Sequence, residues 1–162
     1  MKKILIIGKR GFIGNNLAKY LKKFYNVKHI GFKNLNEFKK KINNFDYVVN
    51  TSTNKNYIYN KYDQRFDNDL KISNLIVNNH VIYSFLSTRK VYVSKANLKE
   101  NDKLAPKSNY SKNKLITEKK LTKKFKKNLI ILRVSNIIGE RNLTKKIHHT
   151  FIDIFFENIK NN

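Results

Sequence analysis

Lys3-Ile4-Leu5-Ile6-Ile7-Gly8-Lys9-Arg10-Gly11-Phe12-Ile13-Gly14 is an apolar run that stops at a glycine and continues through two more, each three residues on. The apolar part reads as a first β-strand. Directly after the loop, Asn15–Tyr25 sets Leu17, Tyr20, Leu21 and Phe24 at helical spacing. A strand, a glycine turn and a helix in that order can hold a dinucleotide. The first glycine permits a tight turn, the second lets backbone approach a pyrophosphate, and the third lets the helix pack closely on the strand. The helix N-terminus favours the negative phosphates. Gly8, Arg10, Gly11, Phe12, Ile13 and Gly14 are therefore the loop's candidate cofactor contacts. The spacing departs by one residue from the usual pattern, and a plain strand-to-helix turn also fits a lone glycine triplet.

Outward from this loop, apolar runs alternate with helical periods. Strands are expected at Val27–Phe32, Asp46–Asn50, Val81–Leu86 and Leu129–Val134. Helices are expected at Leu35–Ile42, Asp69–Asn79, Ser111–Lys127 and Lys145–Ile159, with a polar cluster at Thr51–Lys55 and a polar loop at Ala96–Asn109. Such alternation predicts an α/β fold, a Rossmann-like doubly wound parallel sheet with helices on both faces. The strands are short and almost continuously apolar, as befits a sheet covered twice. Right-handed crossovers then bring Gly8–Gly14, Asn50–Thr53, Ser87–Thr88 and Ser135–Asn136 to one edge. The whole chain, residues 1–162, reads as one NAD(P)-binding domain, with a core over 1–142 and a terminal amphipathic helix in 143–162.

Composition narrows the function. The chain has 162 residues, 40% of them hydrophobic, enough for one globular domain. It has no cysteine, so thiolate metal sites and disulfides are excluded. His148 and His149 are adjacent and point apart on a helix, and no metal site is expected. No apolar run approaches the ~20 residues of a membrane span. The N-terminal apolar stretch ends at Gly8, short of the ~7–15 residues of a signal-peptide core, so a cytoplasmic protein without membrane insertion is expected. The net charge of +24 would attract nucleic acid. Yet the lysines are spread along the chain and accompany Asn, Ile, Phe and Tyr, which share A/T-rich codons. A coding bias accounts for them, and no nucleic-acid partner is expected. Lys119 to Lys127 reads as a solvated helix face.

Tyr110 and Lys114 stand four residues apart, so one helix face presents both. A free phenol, with a pKa near ~10, is a poor base at neutral pH. A neighbouring ammonium favours the phenolate and makes the pair a usable acid/base for an alcohol/carbonyl couple. Thr88, ending its strand, can hydrogen-bond the same substrate oxygen. In a chain rich in both residue types this spacing also arises by chance.

Taken together, these segments resemble the extended short-chain dehydrogenase/reductase superfamily, the NAD-dependent epimerases, dehydratases and reductases of nucleotide sugars. The matching pieces stand in the family's order. They are Gly8-x-x-Gly11-x-x-Gly14, Asp46-Tyr47-Val48-Val49-Asn50, and Asn68 with Asn74, followed by Leu86-Ser87-Thr88-x-x-Val91-Tyr92. Then come Pro106-x-Ser108-x-Tyr110-x-x-x-Lys114-x-x-x-Glu118 and Leu132-Arg133-x-x-Asn136-x-x-Gly139. The phrases around Val49–Thr51 and Ser87–Tyr92 are most similar to the dTDP-4-dehydrorhamnose reductase group. The resemblance implies that Tyr110 is the acid/base and that Thr88 polarises the substrate oxygen. Lys114 would bind the nicotinamide ribose and depress the tyrosine pKa. Asn50, Thr51, Ser52 and Ser87 would lie along the cofactor, and Asn136 would face the substrate. It also implies a nucleotide-sugar substrate, a homodimer built on the helices carrying Asn74 and Lys114, and a C-terminal substrate part mostly missing here.

Departures from the family refine the expectation. The acidic residue that ends the second strand is absent, and Lys33, Lys9 and Arg10 can meet a 2′-phosphate instead. NADP is thereby slightly favoured over NAD. Arg89 and Lys90 stand where family dehydratases carry an Asp-Glu pair, which disfavours sugar dehydration. The favoured step is reduction of a 4-keto sugar. A truncated, catalytically silent NAD(P)-binding module remains the alternative.

Overall fold

The computed structural model describes residues 1–137. Its centre is strand β1, Lys3–Ile7, whose side chains alternate between two cores. Ile4 and Ile6 join Ala18 and Val49 on one face, while Leu5 and Ile7 enter a larger cluster with Val48, Leu70, Ile72, Tyr83, Phe85 and Leu121 on the other. A strand buried on both faces has no solvent side, so its sequence does not alternate.

Four further strands flank it: β2 at Asn26–Ile30, β3 at Tyr47–Asn50, β4 at Ile82–Thr88 and β5 at Leu129–Val134. All neighbouring pairs are parallel, in the order β2-β1-β3-β4-β5. Ile7 pairs with Ile30 on one side and with Asn50 on the other. The chain leaves β1 for β2, then returns to the opposite flank as β3. That reversal opens a crevice beyond the carboxyl ends of β1 and β3, where doubly wound sheets bind ligands.

Helix α1, Phe12–Leu21, packs Ala18 onto the first core. Helix α2, Leu35–Phe38, and helix α3, Lys55–Tyr59, are single turns. Helix α4, Asn68–Ser73, and helix α5, Asn109–Phe125, bring Leu70, Ile72 and Leu121 to the second. The expected layers, with helices on both faces, are therefore present.

Several boundaries differ from expectation, each for a local reason. The helix expected over Asp69–Asn79 starts one residue earlier, at Asn68, and stops at Ser73. Asn43, far away in sequence, accepts hydrogen bonds from the Val77 and Asn78 amides at 2.9 and 3.0 Å. It also donates to the Leu75 carbonyl at 3.0 Å, holding that segment as a turn. Helix α3 was not expected. Asn54 caps it by accepting from the Asn56 amide at 2.9 Å, and Tyr57 anchors it in the interior. Strand β2 ends at Ile30, and Phe32 enters a 3-10 turn, Phe32–Asn34. Gly139 and the helix expected in 143–162 lie outside the described residues, as does the expected boundary at 142.

Candidate functional site

The glycine loop is folded back on the end of β2. The Gly8 and Lys9 amides both donate to the Ile30 carbonyl, at 2.8 and 3.0 Å, and the Gly11 amide donates to the Gly8 carbonyl at 2.9 Å. Gly8 adopts φ +128°, which side-chain-bearing residues avoid. A Cβ on Gly14 would stand 2.6 Å from both the Gly8 carbonyl oxygen and Thr51 Oγ1, so Gly14 is required by packing. Gly11 is different. A Cβ there would meet its nearest atom at 3.4 Å, an ordinary contact. Nothing among the described residues requires Gly11 to lack a side chain.

No side chain caps α1, and its first turn holds no carboxylate. The Phe12, Ile13 and Gly14 amides therefore belong to a helix end suited to an anion. Lys9, Arg10 and Lys33 are exposed. The pairing of Ile7 with Ile30 brings the loops that carry them to one edge of the sheet.

Beyond β3, Thr51 closes the loop's other side. Its amide and its hydroxyl both donate to the Ile7 carbonyl, at 2.8 and 2.9 Å. Asn50 is turned inward. Its Oδ1 accepts from the Ser52 amide at 2.9 Å and from the Ser52 hydroxyl at 2.6 Å. Its Nδ2 donates to the Ser52 carbonyl at 3.1 Å and to Asp69 Oδ1 at 2.9 Å. Asn50 thus shapes the loop, while Thr51 and Ser52 are the partly exposed members.

Asp69 connects this loop to α5. It is buried on α4, accepts from the Tyr83 hydroxyl at 2.8 Å, and lies 3.8 Å from Lys114 Nζ. The Lys114 ammonium is itself buried, 4.5 Å above the Phe85 ring and 5.9 Å from the centre of the Tyr110 ring. Tyr110 and Lys114 are therefore brought together, as their spacing predicts.

Their electrostatics differ from expectation. Burial, aided by the Asp69 charge, holds the Tyr110 phenol above its ordinary pKa. Burial lowers the Lys114 pKa, opposed by the carboxylates of Asp69, Asp67 and Glu118. The lysine was expected to depress the tyrosine. In the structure the ammonium lies 3.8 Å from Asp69, and burial with the Asp69 charge sets the direction at Tyr110.

Thr88 and Ser87 end β4. Thr88 is buried and accepts from the Lys90 amide at 3.3 Å, starting the 3-10 turn Arg89–Val91. Ser87 donates to Glu118. Glu118 in turn accepts from Arg133 at 3.1 and 2.7 Å, and Arg133 donates to the Tyr92 hydroxyl at 2.5 Å. This network locks the β4 and β5 ends to α5. A cleft of about 560 Å³ opens beside it, lined by Arg89, Tyr92, Glu100, Leu132, Arg133 and Ser135. Asn136 is exposed just past β5.

Sequence reasoning passed over Asp69 and Asp67. Both are buried acids on or before α4, in a chain with only 11 acidic residues. Scarcity alone does not single them out, since Glu100 and Asp102 are spaced the same way outside the core; the signal is the pair's place at the start of an apolar helical period.

The sequence profile of the NAD dependent epimerase/dehydratase family matches residues 4–162. The chain belongs to that family. Solved structures share the fold. A dTDP-4-dehydrorhamnose reductase from Yersinia enterocolitica aligns with a TM-score of 0.74 at 19% identity, over 100% of this chain and 61% of the reductase. The reductase of the same name from Clostridium acetobutylicum aligns at 0.71 and 22% identity, over 99% of this chain and 60% of its own. A dTDP-glucose 4,6-dehydratase from Bacillus anthracis, solved with NAD, aligns at 0.75 and 20% identity, over 99% of this chain and 62% of its own. This epimerase/dehydratase-family chain thus spans less than two thirds of each. No curated protein sequence matches it. No helix among the described residues is long and apolar enough to cross a membrane.

Proposed function

We propose that this chain is the dinucleotide-binding part of an oxidoreductase or epimerase that acts on a nucleotide-linked sugar, with Tyr110 as acid/base. One continuous series of contacts carries the reading. It runs from the glycine loop through Thr51, Asn50 and Asp69 to Lys114 and the Tyr110 ring. When bound, the nicotinamide would supply the hydride. Gly8, Gly11 and the first turn of α1 would hold the pyrophosphate. Lys114 would donate to the ribose hydroxyls. Tyr110 would pass its phenolic proton to the sugar oxygen as a carbonyl is reduced, or take one in the reverse direction, and Thr88 would orient that oxygen.

A ketone reduction needs its acid protonated, and the raised Tyr110 pKa supports that direction at neutral pH. Arg89, exposed at the end of β4 and lining the adjacent cleft, supplies no carboxylate for elimination of water. The favoured step is therefore 4-keto reduction. The cations Lys9, Arg10 and Lys33 favour NADP over NAD. A homodimer in the cytoplasm completes the reading.

A second reading is a silent NAD(P)-binding module. The 3.8 Å pairing of Lys114 with Asp69, which engages the lysine that would serve the ribose, favours it. Fluorescence titration with NADPH and NADH, followed by turnover of a nucleotide-linked 4-keto deoxysugar, separates the two. Turnover lost in Tyr110→Phe supports the enzyme. Binding without turnover supports the module. Failure to bind either dinucleotide ends both.

A further inference from the structure

Among the described residues, the charges of three carboxylates, Asp69, Asp67 and Glu118, act on the Lys114 ammonium, and two are already claimed. Asp67 accepts from the Leu70 amide at 3.0 Å, from the Thr117 hydroxyl at 2.6 Å and from the Tyr62 hydroxyl at 3.1 Å. Glu118 is taken by Ser87 and, through two bonds, by Arg133. Asp69 alone reaches the ammonium, through Oδ2, while its Oδ1 holds Tyr83 and Asn50. Among the described residues, the other titratable groups facing this pocket are the phenols of Tyr57 from α3, Tyr110 from α5 and Tyr83 from β4. Neutral phenols add no counter-charge.

We propose that Asp69 is a positioning residue, anchoring the Lys114 ammonium and the Asn50–Ser52 loop through one carboxylate, so that both walls of the dinucleotide site move as a unit. The proposal rests on Lys114 as a ribose-binding residue. It adds that the lysine keeps its charge, against burial, because Asp69 faces it. Without that carboxylate the buried ammonium gives up its proton more readily. Its hold on ribose hydroxyls then weakens as pH rises.

The test follows the full-length protein by carbon-13 NMR of the lysine ε-carbons, with the Lys114 signal identified by its loss in Lys114→Met. In Asp69→Asn, Lys114 titrates at lower pH than in the wild type. NADH affinity then starts to fall at a lower pH in the variant than in the wild type, because the ammonium that would bind ribose is lost sooner. The melting temperature supplies an independent arm. Asp69→Asn lowers it, and lowers it less in the Lys114→Met background, because the charge left unpaired is gone. An unchanged Lys114 titration, or an equal loss of melting temperature in both backgrounds, overturns the proposal. A wild type that binds no dinucleotide while Lys114 still shifts refutes the cofactor reading and leaves the Asp69 pairing standing.

Discussion

The Cβ that Gly14 lacks would stand 2.6 Å from the carbonyl oxygen of Gly8, whereas the one that Gly11 lacks would stand 3.4 Å from the same atom. Two glycines of one loop thus answer to different demands. Gly14 serves helix-to-strand packing, and Gly11 meets no such internal demand among the described residues, so a cofactor is the proposed reason for it.

Alanine substitution separates these roles. Gly14→Ala forces α1 away from β1 and costs on the order of 1–3 kcal/mol of stability, the range for overpacking. Gly11→Ala leaves the thermal melt near the wild type and weakens NADPH and NADH binding at least tenfold. Calorimetric melts and fluorescence titrations read both. Equal destabilisation by the two changes contradicts the assignment.

The pH dependence of turnover reports on Tyr110. Its folded pKa lies above the ordinary phenol value, so the acid form needed to reduce a ketone persists through neutral pH. The reduction rate is expected to stay flat there and fall only in alkaline solution, where the proton is lost. Sugar oxidation, which needs the phenolate, should rise with pH instead. Tyr110→Phe should lower kcat by about 10²- to 10⁴-fold, the usual range for a lost general acid, with dinucleotide binding retained. A rate maximum in acid would show that another group supplies the proton.

Thr117 is buried where three helices meet. Its hydroxyl lies 2.7 Å from the Tyr57 hydroxyl and donates to Asp67 Oδ2 at 2.6 Å. Thr117→Val preserves shape and strips a donor from a buried carboxylate. Stability should fall by about 1–3 kcal/mol, the cost of an unsatisfied buried polar group. Urea denaturation measures it, and a loss within a few tenths would mean that Asp67 finds other partners.

On the outer side of α5, Lys119, Lys120, Lys123 and Lys124 are exposed. A homodimer packed on this helix would bring two such rows together. Salt should therefore strengthen it, because screening weakens the repulsion between exposed like charges. Sedimentation from 50 mM to 500 mM salt is expected to shift monomer toward dimer. A dimer that weakens with salt would place the interface elsewhere.

Much of this arrangement was legible beforehand because it rests on local chemistry. Strand β5 was expected at Leu129–Val134 and is observed there, its apolar run bounded by the helix before it and a polar turn after. The Tyr110 and Lys114 pair needed only helical spacing. Helix α3 and the end of α4 escaped, since Asn54 sets one through a single side-chain bond and Asn43 the other through three, and neither carries a periodic signature.

The order of elements, the glycine turn and the shared face of Tyr110 and Lys114 were determined by the sequence alone, because each depends on neighbours within a few residues. The charge environment was decided by the tertiary structure. Asp69 and Lys114 are 45 positions apart in the chain, and only the packing of α4 against α5 brings them within 3.8 Å. A pKa depends on what surrounds a group in space, so no reading of the helix by itself reveals that the lysine's charge is directed at Asp69 while burial holds the Tyr110 proton in place.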